Sequence, residues 1–249
     1  PDLENVIFIK YKIENTGIVD DVLDSVFFSP WDDTDLGWAS DDLSGCDTAL
    51  NSIFTYNFND DEQYGINPPA IFTTVIQGPV INTSETNDTA FIKSGVLLDE
   101  KRMQGYKNLG LFSFAGYGKN SPTQSFPGTL QYVHNYIFGL DGVGNTLNPC
   151  DTLWGKVYGN VDCNIVNPIN WFSGDPVERI GWLDKIPLDD RKFASSGPFT
   201  LEKFKPVEII LALVVGRGYD ELNSITVAKE NVQKAIEEYQ SNFSSMTYN

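Results

Sequence analysis

From Phe8 onward the chain alternates. Phe8, Lys10 and Lys12 fall on one side, and Ile9, Tyr11 and Ile13 on the other. A two-residue period among β-branched and aromatic residues predicts a strand over 5–13. Glu14-Asn15-Thr16-Gly17 is turn chemistry. The next strand is expected over 22–28, paired with the first as antiparallel neighbours of a sandwich. Further strands are predicted over 52–58, 71–76, 111–114 and 197–201, and the apolar run 207–215 predicts a long buried one. Beyond Gly216-Arg217-Gly218 the period changes. Ile225, Ala228, Val232, Ala235, Ile236, Tyr239 and Phe243 recur at three- and four-residue spacing. That stripe predicts one amphipathic helix over 224–243, capped by Asn223 or Ser224 and packed on the sheet.

Two regions lack such a pattern. Residues 80–110 are polar and carry Asn-x-Ser/Thr sequons at Asn82 and Asn87, with a third at Asn242. Residues 115–190 are rich in Gly, Asn, Pro and aromatics, with a short helical stretch at 132–138. This much irregular chain is expected as an insertion packed on one end of the sandwich. The fold class read from the pattern is mainly β. Residues 1–249 form one antiparallel β-sandwich, with a loop insertion over 115–190 and a C-terminal α-helix over 224–243. The opening Pro1 suggests a piece excised from a larger protein.

Charge narrows the partners. The net charge of −17 repels nucleic-acid phosphates and anionic lipid and attracts divalent cations. The longest apolar run, 207–215, has strand length and is too short to span a bilayer as a helix. The expectation is no nucleic acid and no membrane insertion.

The acids are not evenly spread. Asp32, Asp33, Asp35, Asp41, Asp42 and Asp47 fall within sixteen residues, with no Lys or Arg among them. Crowded carboxylates need a counter-ion, and calcium accepts six to eight oxygens in flexible geometry. Asp33 and Asp35, two apart in an extended loop, can point at one ion. Gly37 and Gly45 let the backbone curl, and Asp41, Asp42 and Asp47 can close the far side. These five aspartates are the expected Ca2+ ligands. The spacing is not that of an EF-hand, since Gly37 stands at the fifth place of the run rather than the sixth. A solvated acidic loop with Asx turns is the alternative.

The three cysteines, Cys46, Cys150 and Cys163, have no zinc spacing. Cys150 and Cys163 are the candidate disulfide, leaving Cys46 unpaired and buried. His134 is the single histidine, with no nucleophile motif beside it, so a histidine-based triad or zinc site has no support. No phosphate-binding or dinucleotide-binding glycine motif occurs. Trp154, Trp171 and Trp182 are candidate sugar-stacking residues, with Trp38 and Tyr117 in support. A carbohydrate-binding module is the second functional reading, and a carboxylate-pair glycoside hydrolase a lesser one.

The run Trp31…Asp33-Thr34-Asp35-Leu36-Gly37…Asp41-Asp42…Gly45-Cys46-Asp47 resembles a signature of large secreted proteins of Bacteroidetes, Ignavibacteria and related bacteria. Pro68-Pro69-Ala70, Gln77-Gly78-Pro79, Gly174-Asp175-Pro176, Gly181-Trp182 and the run from Asp190 to Leu201 (DRKFASSGPFTL) are similar to further segments of that family, in order. Thr34 stands where the family has proline, and Lys203-Phe204-Lys205-Pro206 replaces its usual turn. Such proteins commonly carry a type IX secretion sorting domain. The resemblance implies secretion and a surface role more than any chemistry, and the first functional reading is a calcium-stabilised, non-catalytic structural or adhesive module. Partners would be other domains of the same polypeptide, further copies of it, or glycans.

Overall fold

The computed structural model describes residues 3–118 and 123–246. Residues 119–122, inside the expected insertion, and the two chain ends lie outside the described residues. The fold is mainly β, with antiparallel sheets and a C-terminal helix, as the hydrophobic pattern predicts.

The larger sheet has five strands: β1 (Val6–Ile13), β4 (Asp42–Asp47), β5 (Ser52–Asn57), β6 (Ala70–Gln77) and β15 (Val207–Gly216), in the order β1-β15-β6-β5-β4. A second sheet is built from β2 (Val22–Phe28), β11 (Ser113–Tyr117) and β14 (Arg191–Glu202), with the short β3 (Trp31–Asp32) also pairing β14. Two-stranded ribbons complete the strands: β7 (Val80–Asn82) with β10 (Tyr106–Asn108), β8 (Thr89–Ser94) with β9 (Asp99–Gln104), and β12 (Gly155–Tyr158) with β13 (Gly181–Asp184). The helices are α1 (Leu130–Ile137) and α2 (Glu221–Gln240).

The five-stranded sheet is buried on both faces. Phe54, Phe72, Ala212 and Val214 meet Ile225, Ala228, Val232 and Ala235 of α2. This is the stripe the sequence shows, and it is apolar along its centre. On the opposite face Ile53, Cys46, Val75, Ile209 and Leu211 pack towards the second sheet and the loops behind it. Helix α2 begins earlier than its stripe. Asp220 is the cap, accepting the Asn223 N–H at 2.7 Å.

The first two predicted strands exist but do not pair with one another. β1 pairs β15 and β2 pairs β14. Alternation fixes which side chains share a face, not which strand lies alongside. The link after β1 crosses between sheets beside the β14–β15 link. Buried Asn15 holds this corner through its amide, which donates to Asp20 O at 3.0 Å and Leu201 O at 3.2 Å.

The 115–190 segment is woven into the fold. It begins within β11 of the second sheet, and Trp171, Phe172 and Trp182 from it belong to the inter-sheet core. It also covers the β4 edge of the large sheet. Cys46 N–H donates to Phe172 O at 3.3 Å and Leu188 N–H to Asp42 O at 3.0 Å. No segment pairs with the opposite edge, β1, among the described residues.

Candidate metal site

β3 lies antiparallel to the start of β14, with Asp32 opposite Lys192 and Trp31 opposite Phe193. Continuing that register outward sets Asp33 against Arg191 and Asp35 against Asp189. The result is an acidic cluster. Asp33, Asp35 and Asp189 each bring one carboxylate oxygen within 4.8 Å of the others. Three carboxylates so placed could hold a metal ion. Asp33 and Asp35 are solvent-exposed and Asp189 is half-buried.

The charge is only partly balanced within the protein. Arg191 Nε lies 2.9 Å from Asp33 Oδ1, and its terminal nitrogen bonds Asp189 Oδ1. Hydrogen bonding to Asp189, with the charges of Asp33 and Asp35 nearby, pushes the guanidinium above its usual range. The run 32–47 holds no Lys or Arg of its own, but the fold brings one to it. Arg191 arrives from a distant strand, where a local reading of residues 32–47 has no sight of it. Three carboxylates and one guanidinium leave two negative charges, which a divalent cation would balance.

The other three expected ligands do not join the cluster. The Asp41 carboxylate accepts from Asn57 Nδ2 at 2.9 Å, and burial raises its pKa. Asp42 lies between the sheets, where its Oδ2 accepts the Leu36 N–H at 3.0 Å and its Oδ1 has no hydrogen-bond partner. Burial pushes the Asp42 carboxyl up to about 7, against the opposing pull of the Leu36 N–H and the Lys192 charge. Asp47 is on the helix side of the sheet, capping the N–H groups of Ala49 and Leu50 and pairing Lys229 of α2 at 3.2 Å. The reason is the strand period. Asp42 and Asp47 sit at opposite ends of β4 on opposite faces, so one ion cannot reach both.

The glycines of the loop also divide. Gly37 has φ +74°, and a Cβ there would sit 2.2 Å from Asp61 Oδ1. Asp61 fixes this turn by accepting the N–H groups of Trp38, Gln63 and Tyr64 at 2.6–2.8 Å. Gly45 does not curl the loop. It lies within β4 beneath the Phe54 ring, where a Cβ would be 2.4 Å from Cζ.

Asp189 was missed by the sequence reading. Its signal was the Asp189-Asp190-Arg191 triplet immediately before a strand, which gains meaning only once β14 is paired with β3.

The sugar-stacking expectation is corrected for Trp171 and Trp182. They are 0% and 2% exposed, packed edge-on around Phe172, so neither presents an open stacking face, although Trp182 borders the cleft beside Trp154. Aromatics in a Gly-rich segment fill the core of that segment. Trp154 is half-buried and lines a cleft of about 240 Å³ with Leu147, Asp151 and Leu153. The exposed tryptophans are Trp31 and Trp38, among the described residues. Trp31 is held upright by its indole N–H, which donates to Tyr117 Oη at 2.7 Å beside the acidic cluster.

Cys150 and Cys163 form a disulfide, and Cys46 is a free, buried thiol. His134 stacks on Phe138 at the end of α1. No protein-family model matches this chain, and no curated protein and no solved structure matches it. The motif resemblance stands on the residues quoted for it alone.

Proposed function

We propose that this chain is a calcium-stabilised, non-catalytic structural or adhesive module of a secreted or cell-surface protein. The observation that carries the reading is the Asp33–Asp35–Asp189 cluster with its two uncompensated negative charges. It bridges the loop after β3 to the start of β14, so an ion there would tie the loop to the sheet. Carboxylate oxygens, an open setting and room for water suit calcium better than magnesium, which demands a stricter octahedron. An exposed site of this kind binds with a dissociation constant of about 0.1–1 mM, matched to calcium outside cells. The disulfide supports the same oxidising location. The partners in this reading are other domains of one polypeptide or further copies of the module.

Thermal unfolding in EDTA and in 10 mM calcium chloride tests it. With a dissociation constant near 1 mM, calcium adds about 1.4 kcal/mol, raising Tm by roughly 3–6 °C. Asp35→Ala should abolish the rise, and 10 mM magnesium should give little of it. A Tm unchanged by calcium would sink the proposal.

A second reading, carbohydrate binding, has one observation in its favour. Trp31 presents an exposed, hydrogen-bond-fixed indole next to the cluster. A glycan array probed with and without calcium separates the two, since a purely structural module gives no signal in either.

A further inference from the structure

The two edges of the five-stranded sheet differ. The β4 edge is bonded to the 172–188 segment, while β1 has β15 as its one partner strand among the described residues. Val215 N–H donates to Asn5 O at 2.9 Å, which identifies Asn5 and Val215 as a hydrogen-bonded pair. Antiparallel alternation then bonds Ile7, Ile9 and Tyr11 towards β15, and turns the N–H and C=O groups of Phe8, Lys10 and Lys12 outward. The charges along it are Lys12 and Lys10, whose Nζ donates to Gly95 O and lies 3.6 Å from Glu208. β1 runs eight residues in unbroken register, without a proline or a bulge.

A groove of about 720 Å³ opens beside the same edge. It is lined by Val6, Phe8, Val96, Ile210, Phe243 and Met246, among others. Phe8 lies directly across the ladder from Ala212, a contact of α2, so the groove is on the helix side of the sheet. Val96 is 94% exposed at the tip of the β8–β9 hairpin. The opposite side of β1 presents Ile7, which is 63% exposed.

We propose that β1 and this groove form a docking site for an extended segment of another polypeptide, which would add to the sheet as a sixth strand. Strand addition supplies main-chain hydrogen bonds, and alternate side chains of the incoming segment reach a pocket on one face. Here that pocket is apolar beside Phe8. The charge at the far end fixes the rest. Lys12 is 57% exposed and only 4.0 Å from Glu14, a loose pair. The guest is therefore a strand with bulky apolar residues facing Phe8 and a carboxylate facing Lys12. A second copy of this chain fits poorly. It would bring together two chains of −17 each, which repel. The inference does not depend on calcium.

The probe is a synthetic octapeptide alternating valine with phenylalanine and aspartate, titrated into the whole chain while backbone amide exchange is followed. In the free protein the amides of Phe8, Lys10 and Lys12 should exchange quickly and those of Ile7, Ile9 and Tyr11 slowly. Peptide should protect the first set. N-methylation of the peptide at the positions that face β1 should weaken binding at least about 10-fold, and at the other positions it should not. Lys12→Glu should favour a peptide with lysine in place of aspartate. Protection of the Phe8, Lys10 and Lys12 amides in the isolated chain, or binding indifferent to N-methylation, overturns the proposal. So does failure of every peptide to bind at millimolar concentration. A concentration-dependent dimer that itself protects those amides would make the guest a second copy, and overturns the choice of occupant.

Discussion

The two faces of the five-stranded sheet are covered by different means. One carries a single amphipathic helix whose Ile225, Ala228, Val232 and Ala235 lie on Phe54, Phe72 and Val214. The other meets a second sheet and a disulfide-bearing irregular segment, and polar groups are buried there. Lys192 Nζ bonds Thr55 Oγ1 at 2.6 Å, Thr73 Oγ1 bonds Asp32 Oδ2 at 3.0 Å, and Asp42 sits nearby. The helix face is mostly apolar, with buried polar groups held in pairs such as Tyr239–Gln77 and Ser52–Thr74, so area dominates there. The inter-sheet face must satisfy each buried group, and loses where it does not. The helix face should therefore respond to volume, and the inter-sheet face to charge and pH.

The largest effect belongs to the helix face. Phe72→Ala removes a fully buried ring stacked on Phe54 and should cost about 3–5 kcal/mol in urea unfolding, with no pH dependence. A cost that varied with pH would blur the distinction. Opening the Cys150–Cys163 bridge with Cys150→Ser and Cys163→Ser frees the loop behind the other face. It should cost about 3 kcal/mol by loop entropy, read from the same curves.

Asp42 sharpens the contrast next. Burial pushes its carboxyl up to about 7 in the folded protein, from an ordinary 3.8. Between those limits the native state holds a proton that the unfolded chain releases, so stability falls as pH rises from 4 to 7. In EDTA, Asp42→Asn should flatten that decline and add about 2 kcal/mol at pH 8. An unaltered pH profile would show that Asp42 is solvated. The smallest effect is Asp47→Ala, which leaves Lys229 with Asp175 as its one paired carboxylate and frees two backbone donors, for about 1 kcal/mol. It should leave the calcium-induced rise in Tm intact, whereas Asp35→Ala should remove it.

The sequence was informative where structure is local. The α2 stripe and the strand runs depend on neighbours a few residues away, and their positions follow from periodicity. Partner choice does not, so β1 and β2 were expected together and lie in different sheets. The β9 strand, Asp-Glu-Lys-Arg-Met-Gln, escaped notice because a ribbon largely open to solvent has no apolar alternation to betray it. The acidic cluster was half legible. Asp33 and Asp35 are close in sequence and in space, while Asp189 and Arg191 come from the strand pairing. Trp171 and Trp182 look like ligand platforms in a Gly-rich run, and only the packing shows them enclosed.

One buried atom bears on how such a chain matures. Cys46 Sγ is sealed beneath the backbone of Trp171, donating to its carbonyl oxygen at 3.4 Å. Burial also pushes the thiol far above its normal range, so it is not a thiolate at neutral pH. With three cysteines, two of the conceivable bridges are wrong, and both use Cys46. Closing the two sheets over it removes the wrong partner from reach. An isomerase would then have work to do only on chains whose sheets have not yet met, and mispaired product should report early oxidation rather than a fault in the finished fold.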